Sequence, residues 1–200
     1  MPPITRGFRG RRPDVDPSRI PPGQHHERGF PVLTAGPTPP VDTATWTFDV
    51  GGLVGAEQVF TWEDLMALPQ ETFTVDIHCV TTWTKLDTGW TGVSVDELLK
   101  DVDPRSEWVT IRAYGGYTTN LPLADLTGGK AWVVHTFDGE PLEARHGGPA
   151  RLLVPHLYFW KSAKWVRGFT FTPNEQPGFW EQNGYHRRGD PWREQRYWSD

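Results

Sequence analysis

Proline sets the first limit on what this chain can become. Ten of its nineteen prolines fall within residues 1–40. Each one fixes φ and removes a backbone donor, so that stretch cannot be helical over most of its length. Residues 1–20, arginine-rich from Arg6 to Arg12, are expected to form a mobile arm. From Pro21-Pro22-Gly23-Gln24-His25-His26 to Phe30-Pro31-Val32-Leu33 apolar residues return. This predicts an extended segment laid across one domain that runs from 21 to 200.

Beyond the arm, period-two alternation dominates. In Thr72 to His78, Phe73, Val75 and Ile77 share one parity and Thr72, Thr74, Asp76 and His78 the other, as in a half-buried strand. Trp46 to Val50 alternates likewise and ends at Gly51-Gly52. Further strands are expected at 108–114, 131–137, 151–154 and 166–172, with Asp138-Gly139 as a turn. Thr61 with Asp64 three residues on, and Ser94 with Glu97, read as starts of two short helices, the first closed by Pro69. Short helices among more numerous strands, without a βαβ rhythm, predict an α+β fold dominated by sheet. Residues 173–200 carry Trp180, Tyr185, Trp192, Tyr197 and Trp198 among charges and are expected to meander against the body.

Two hundred residues suit one domain with a real core. A net charge of -5 without a long basic run excludes nucleic acid as the main partner. No apolar stretch is long enough to span a bilayer. Arg11-Arg12 precedes Pro13-Asp14-Val15-Asp16-Pro17 where an export signal needs an apolar segment. With one cysteine there is no intrachain disulfide, which fits a reducing compartment, and the chain reads as cytoplasmic. Eleven tryptophans point to aromatic packing or to a partner surface.

That cysteine, Cys79, stands where the Thr72–His78 strand ends. A lone cysteine is by default a small buried hydrophobe. Its other use is as a soft thiolate ligand to a metal whose remaining ligands come from an organic cofactor. A second region, His146-Gly147-Gly148-Pro149-Ala150-Arg151 and then Trp160-Lys161-Ser162-Ala163-Lys164-Trp165, places two lysines and a hydroxyl in one turn. Such a turn either holds a phosphate or is a plain surface loop. Arg151 opens an apolar run, and a guanidinium near a core needs a partner. A metal at His25-His26 lacks neighbouring Cys or acidic ligands, and a Cys79 nucleophile with His78 or His146 lacks an oxyanion-hole motif.

In order and spacing, Cys79-Val80-Thr81-Thr82-Trp83, Ala113 to Leu123, His146 to Arg151 and Trp160 to Val166 resemble the molybdopterin-binding domain of sulfite oxidase-like enzymes, over about Phe30 to Tyr185. The resemblance implies that Cys79 ligates molybdenum and that His146 and Arg151 contact the pterin. It implies too that Lys161, Ser162 and Lys164 hold the pterin's phosphate and that Tyr185 is the active-site tyrosine. Gln24, His25 and Phe30 to Thr34 fall on the loop that wraps the pterin, and Tyr117 and Thr119 on the loop beside the metal. His78 is expected to contact the cofactor region as a hydrogen-bonded neighbour of the metal loop. Since the pterin brings two sulfurs, one protein thiolate suffices.

The departures are informative. Sulfite-oxidising members carry an arginine in the N-terminal loop and another just after the cysteine, whereas this chain has Leu33-Thr34 and Thr81-Thr82-Trp83-Thr84. The expectation is therefore a molybdopterin-dependent oxidoreductase that transfers an oxygen atom to or from a small neutral substrate. Catalysis would involve Cys79, Tyr185 and Tyr117, and electrons would be exchanged with a separate flavin, haem or iron–sulfur protein. The alternative is a non-catalytic pterin-binding or carrier module.

Overall fold

The computed structural model describes residues 15–200. Arg6 to Arg12, and most of the expected mobile arm, lie outside the described residues. In chain order the elements are β1 (His25–His26), β2 (Thr47–Gly52), β3 (Gln58–Thr61), α1 (Trp62–Ala67), β4 (Glu71–His78), β5 (Trp83–Ser94) and α2 (Val95–Leu99). There follow β6 (Trp108–Ala113), β7 (Thr118–Pro122), β8 (Trp132–Phe137), β9 (Glu140–Pro141), β10 (Arg151–Leu153), β11 (Val166–Thr172) and α3 (Phe179–Gln182). No α-helix exceeds six residues among the described residues. The sheet-dominated α+β reading holds.

Two mixed sheets form the body. In the first, β5 pairs antiparallel with β4 and β8, β8 carries β9 and β10, and β1 lies parallel to the start of β5. The second runs β3-β2-β11-β6-β7, with β2 and β11 parallel. The first sheet is buried on both faces, and alternation sorts its side chains between two cores. Val93, Val133 and Leu152 join Phe48, Ile111, Phe169 and Phe171 of the second sheet, with Trp46 just ahead of β2. Their neighbours Trp90, Val134 and Leu153 join Ile77, Trp132, Cys79 and Trp83 in the other core.

The helix starts form as their sequences dictate. Thr61 and Asp64 make a reciprocal capping box, and the Ser94 hydroxyl accepts the Glu97 amide. Strand β5, the longest, went unread in the sequence. It carries Gly89 and Gly92, and a register shift at Thr91/Gly92 breaks its alternation. The hairpin with β4 is bulged between Val75 and Ile77, which leaves the Asp76 carboxylate to accept the Asp87 amide (2.9 Å) and Arg19 (2.6 Å). Arg19 thereby ties the start of the described chain to the hairpin.

Gly92 permits the closest of these approaches. A Cβ there would lie 2.3 Å from the Val133 carbonyl oxygen and 2.5 Å from the Val134 Cα. Gly92→Ala should cost about 1–3 kcal/mol in urea unfolding. Gly36→Ala, whose Cβ would meet nothing within 4 Å, should be close to neutral; equal effects would contradict this packing.

Candidate functional site

Strand β4 delivers Cys79 into a tight turn before β5. The Cys79 amide donates to the Trp83 carbonyl (2.8 Å) and the Thr82 amide to the Cys79 carbonyl (3.0 Å), with Thr82 at φ 75°. The N-terminal segment braces this turn. Gln24 Nε2 donates to the Cys79 carbonyl (3.1 Å), and the His25 amide donates to the Thr82 carbonyl (2.9 Å). The thiol is 7% exposed and lies 3.1 Å from the Thr81 hydroxyl. Burial pushes its pKa up, opposed by the Thr81 hydroxyl and by the charge of Arg196.

The turn opens on a cleft of about 730 Å³, within the range of cofactor sites. Its lining includes the proline-rich stretch 30–40 and an aromatic group of Phe159, Trp160, Phe179, Trp180 and Tyr185, with Phe159 meeting Phe30 at 6.0 Å. Arg151 and Lys164 are the only Asp, Glu, Lys or Arg residues in the lining, among the described residues.

Arg151 is 1% exposed. Its guanidinium donates to the carbonyls of His146 (2.8 Å) and Ser162 (2.6 Å) and lies 4.0 Å from the centre of the Phe159 ring. Among the described residues no carboxylate pairs with it. Burial accordingly lowers its pKa to about 9. Lys164 donates to the carbonyls of Leu33 (2.8 Å) and Arg145 (2.7 Å), and burial with repulsion from Arg151 brings it to about 8. His146 ends a 3-10 turn that Gly147 closes at φ 111°. Phe30 stacks on its ring at 4.0 Å, and burial, reinforced by Arg151 and Lys164, lowers its pKa to about 4, so it is neutral near pH 7.

The two tyrosines sit on the aromatic side. Tyr117 donates its hydroxyl to the Trp160 carbonyl (2.7 Å), and burial with the nearby Glu181 charge raises its pKa. Tyr185 stacks on Trp180 (4.9 Å) and meets Trp160 edge-on (5.0 Å). Burial, Tyr197 and Cys79 all raise its pKa. The hydroxyl therefore stays protonated at neutral pH.

Of the residues expected at the site, Phe30, Cys79, Tyr117, His146, Arg151, Ser162, Lys164 and Tyr185 line one cleft. Five predicted residues do not. Gln24 supports the Cys79 turn from behind, and His25 is exposed on β1. His78 is buried on β4, with Nδ1 at 2.9 Å from the Thr84 hydroxyl and its ring against Trp192. Thr119 belongs to strand β7 rather than to a loop and donates to Glu181 (2.8 Å). Lys161 is fully buried in an ion pair with Glu181 (2.6 Å) and also donates to the Asn120 carbonyl (2.8 Å), so it is unavailable to a phosphate in the cleft. The turn sends Lys161 into the core and Ser162 and Lys164 into the cleft. The sequence missed Phe159, Phe179, Trp180 and Arg196, since nothing separates a cleft aromatic from a core one in a tryptophan-rich chain.

The donor set fits an anionic cofactor that brings its own metal. Two cations without carboxylate partners, the buried Arg151 and the half-buried Lys164, line the cleft, the Trp83 Nε1–H is buried without a partner, and one thiol is at hand. No cluster of three or more His, Cys, Asp or Glu among the described residues would hold a metal by itself.

Residues 35–180 match the oxidoreductase molybdopterin binding domain family, and the chain belongs to that family. It is thus a molybdopterin-binding oxidoreductase, and the family implies a molybdenum–pterin cofactor. The chain is 45% identical over 185 residues to YuiH, an uncharacterized oxidoreductase of Bacillus subtilis (strain 168), covering 91% of this chain and 93% of that one. It is 29% identical over 148 residues to YedZ1 of Azospira oryzae, a putative protein-methionine-sulfoxide reductase subunit, covering 73% of this chain and 56% of the relative. With MsrP of Ralstonia nicotianae, a protein-methionine-sulfoxide reductase catalytic subunit, it shares 24% identity, covering 77% and 53% respectively. The chain thus spans little more than half the length of these last two. The crystal structure of the sulfane dehydrogenase SoxCD from Paracoccus pantotrophus shares the fold, with a TM-score of 0.62 at 23% identity over 68% of this chain and 40% of that one.

The buried neutral histidines give a pH test. His146 and His78, each lowered to about 4 from 6.5 by burial, take up protons in the unfolded chain before the folded one. Stability of the cofactor-free protein should therefore fall as pH drops from 6.5 to 4, with His78 contributing on the order of 3 kcal/mol and His146, screened by solvent at the cleft wall, less. Urea midpoints of His146→Phe should fall less steeply over that window than those of the wild type; parallel profiles would contradict the assignment.

Proposed function

We propose that Cys79 is the protein's ligand to molybdenum and that the cleft reduces a neutral S-oxide or N-oxide. When bound, the cofactor supplies a metal that accepts an oxygen atom and passes on two electrons. The balance of such a reduction is R₂SO with two electrons and two protons giving R₂S and water. Arg151, Lys164, His146 and the Ser162 hydroxyl bind and orient the anionic pterin. Tyr185, kept protonated by its surroundings, donates a hydrogen bond to the substrate oxygen. Trp83, Trp160 and Trp180 exclude water.

The lining charge carries this reading. Arg151 and Lys164, the two cations of the cleft, are those assigned to the pterin, leaving Thr81, Trp83 and the aromatic wall to receive substrate. A sulfur oxyanion has no further cation to meet there, whereas a sulfoxide needs only a hydrogen-bond donor and an apolar cage. The names of YedZ1 and MsrP point the same way. Electrons come from a separate flavin, haem or iron–sulfur protein. The single free thiol favours the cytoplasm. No helix among the described residues is long and apolar enough to cross a membrane.

The test is steady-state turnover of holoprotein with a reduced dye and methionine or dialkyl sulfoxides, set against sulfite with an oxidised acceptor. Sulfoxide kcat/KM should exceed that for sulfite by about 100-fold, and Tyr185→Phe should lower kcat by about 100-fold. Cys79→Ser should change the EPR g-values of the bound molybdenum, because an oxygen donor replaces a sulfur. Brisk sulfite turnover would refute the neutral-substrate reading, and bound but redox-silent molybdenum would favour a carrier.

A further inference from the structure

The family match covers residues 35–180, yet the turn that presents Cys79 is held from both sides by residues outside that span. On one side is the 22–27 segment. On the other is Arg196, whose side chain is 14% exposed. Its Nη1 donates to the Val80 carbonyl (2.8 Å) and Nη2 to the Pro22 carbonyl (3.4 Å). The guanidinium lies 5.2 Å from the centre of the Tyr158 ring, while Glu194, its nearest carboxylate, is 3.8 Å away and half exposed. The fit is close. A Cβ on Gly23 would lie 2.6 Å from Glu194 Oε1 and 3.0 Å from Arg196 Nη2.

The backbone of Arg196 belongs to the same local structure as Tyr185. The His186 amide donates to the Arg196 carbonyl (3.1 Å), the Trp198 amide to Gly184 (3.0 Å), and Tyr185 and Tyr197 form a bridge pair with rings 5.7 Å apart. One planar fork thus joins the peptide next to Cys79, the N-terminal segment and the element that carries Tyr185. A guanidinium holds two such carbonyls in one fixed plane, a geometry that the rotatable point charge of an ammonium does not impose.

Resting on the assignment of Cys79 as metal ligand, we propose that Arg196 is a positioning residue for the molybdenum site. It fixes the Cys79 turn relative to Tyr185 and holds a positive charge beside the ligating sulfur. A cation there favours the more negative, reduced centre. Its removal lowers the midpoint potential.

The test uses holoprotein with wild-type residues, Arg196→Gln, Arg196→Lys and Cys79→Ser, measuring molybdenum content, midpoint potential and EPR g-values of the bound metal, and melting temperature. Arg196→Gln should keep its metal and shift the midpoint downward, and Arg196→Lys should recover the potential while its g-values differ from wild type, because an ammonium lacks the planar fork that sets the Val80 and Pro22 carbonyls relative to each other. If the glutamine variant does not fold, the lysine variant decides alone: wild-type g-values would overturn the proposal. An unchanged midpoint in Arg196→Gln with only a lower melting temperature would make Arg196 a tail anchor and also overturn it. Wild-type EPR g-values in Cys79→Ser would instead overturn the ligand assignment beneath it.

Discussion

The buried guanidinium of Arg151 is the charge on which the site depends. Carbonyl dipoles and the Phe159 ring stabilise it in part, but a full charge withdrawn from water needs an opposite one nearby. With the half-buried Lys164 repelled by it, the cleft carries two cations with no carboxylate in its lining. An anionic ligand with phosphate and sulfur donors supplies what is missing. The cofactor-free chain accepts strain at this point that the holoprotein relieves.

Around that charge the fold divides its work. The doubly buried sheet fixes where β4 ends and β5 begins, and so where Cys79 stands. The proline-stiffened 30–40 stretch forms a wall that loses little entropy on closing over a ligand. The 173–200 segment provides the aromatic side and reaches back to the cysteine turn. On the proposed assignment, metal, pterin and substrate regions fall to different segments of the chain.

Much of this was legible beforehand, for identifiable reasons. Strands β6, β8, β10 and β11 were expected as well, although β8 opens with consecutive buried residues and β10 consists of them, and period-two alternation itself marked β2 and β4. It failed on β5, whose glycines and bulge scramble the parity, and on the short edge strands β3 and β9. Ordered motif blocks located Cys79, His146, Arg151 and Lys164. They could not show that adjacent lysines part company, since the partner that draws Lys161 inward, Glu181, lies twenty residues on. Arg196 gave no signal at all. Its role is made of contacts with Val80 and Pro22, far away in sequence.

The central claim is that the cleft is electrostatically unfinished without an anionic cofactor. Replacing Arg151 by methionine and measuring both the melting temperature of cofactor-free protein and the pterin content of protein made in a cofactor-producing host addresses it most directly. The account predicts a cofactor-free variant at least as stable as the wild type, because an unpaired buried charge has gone, together with loss of bound pterin. A cofactor-free variant destabilised by several kcal/mol that still retains its pterin would contradict it.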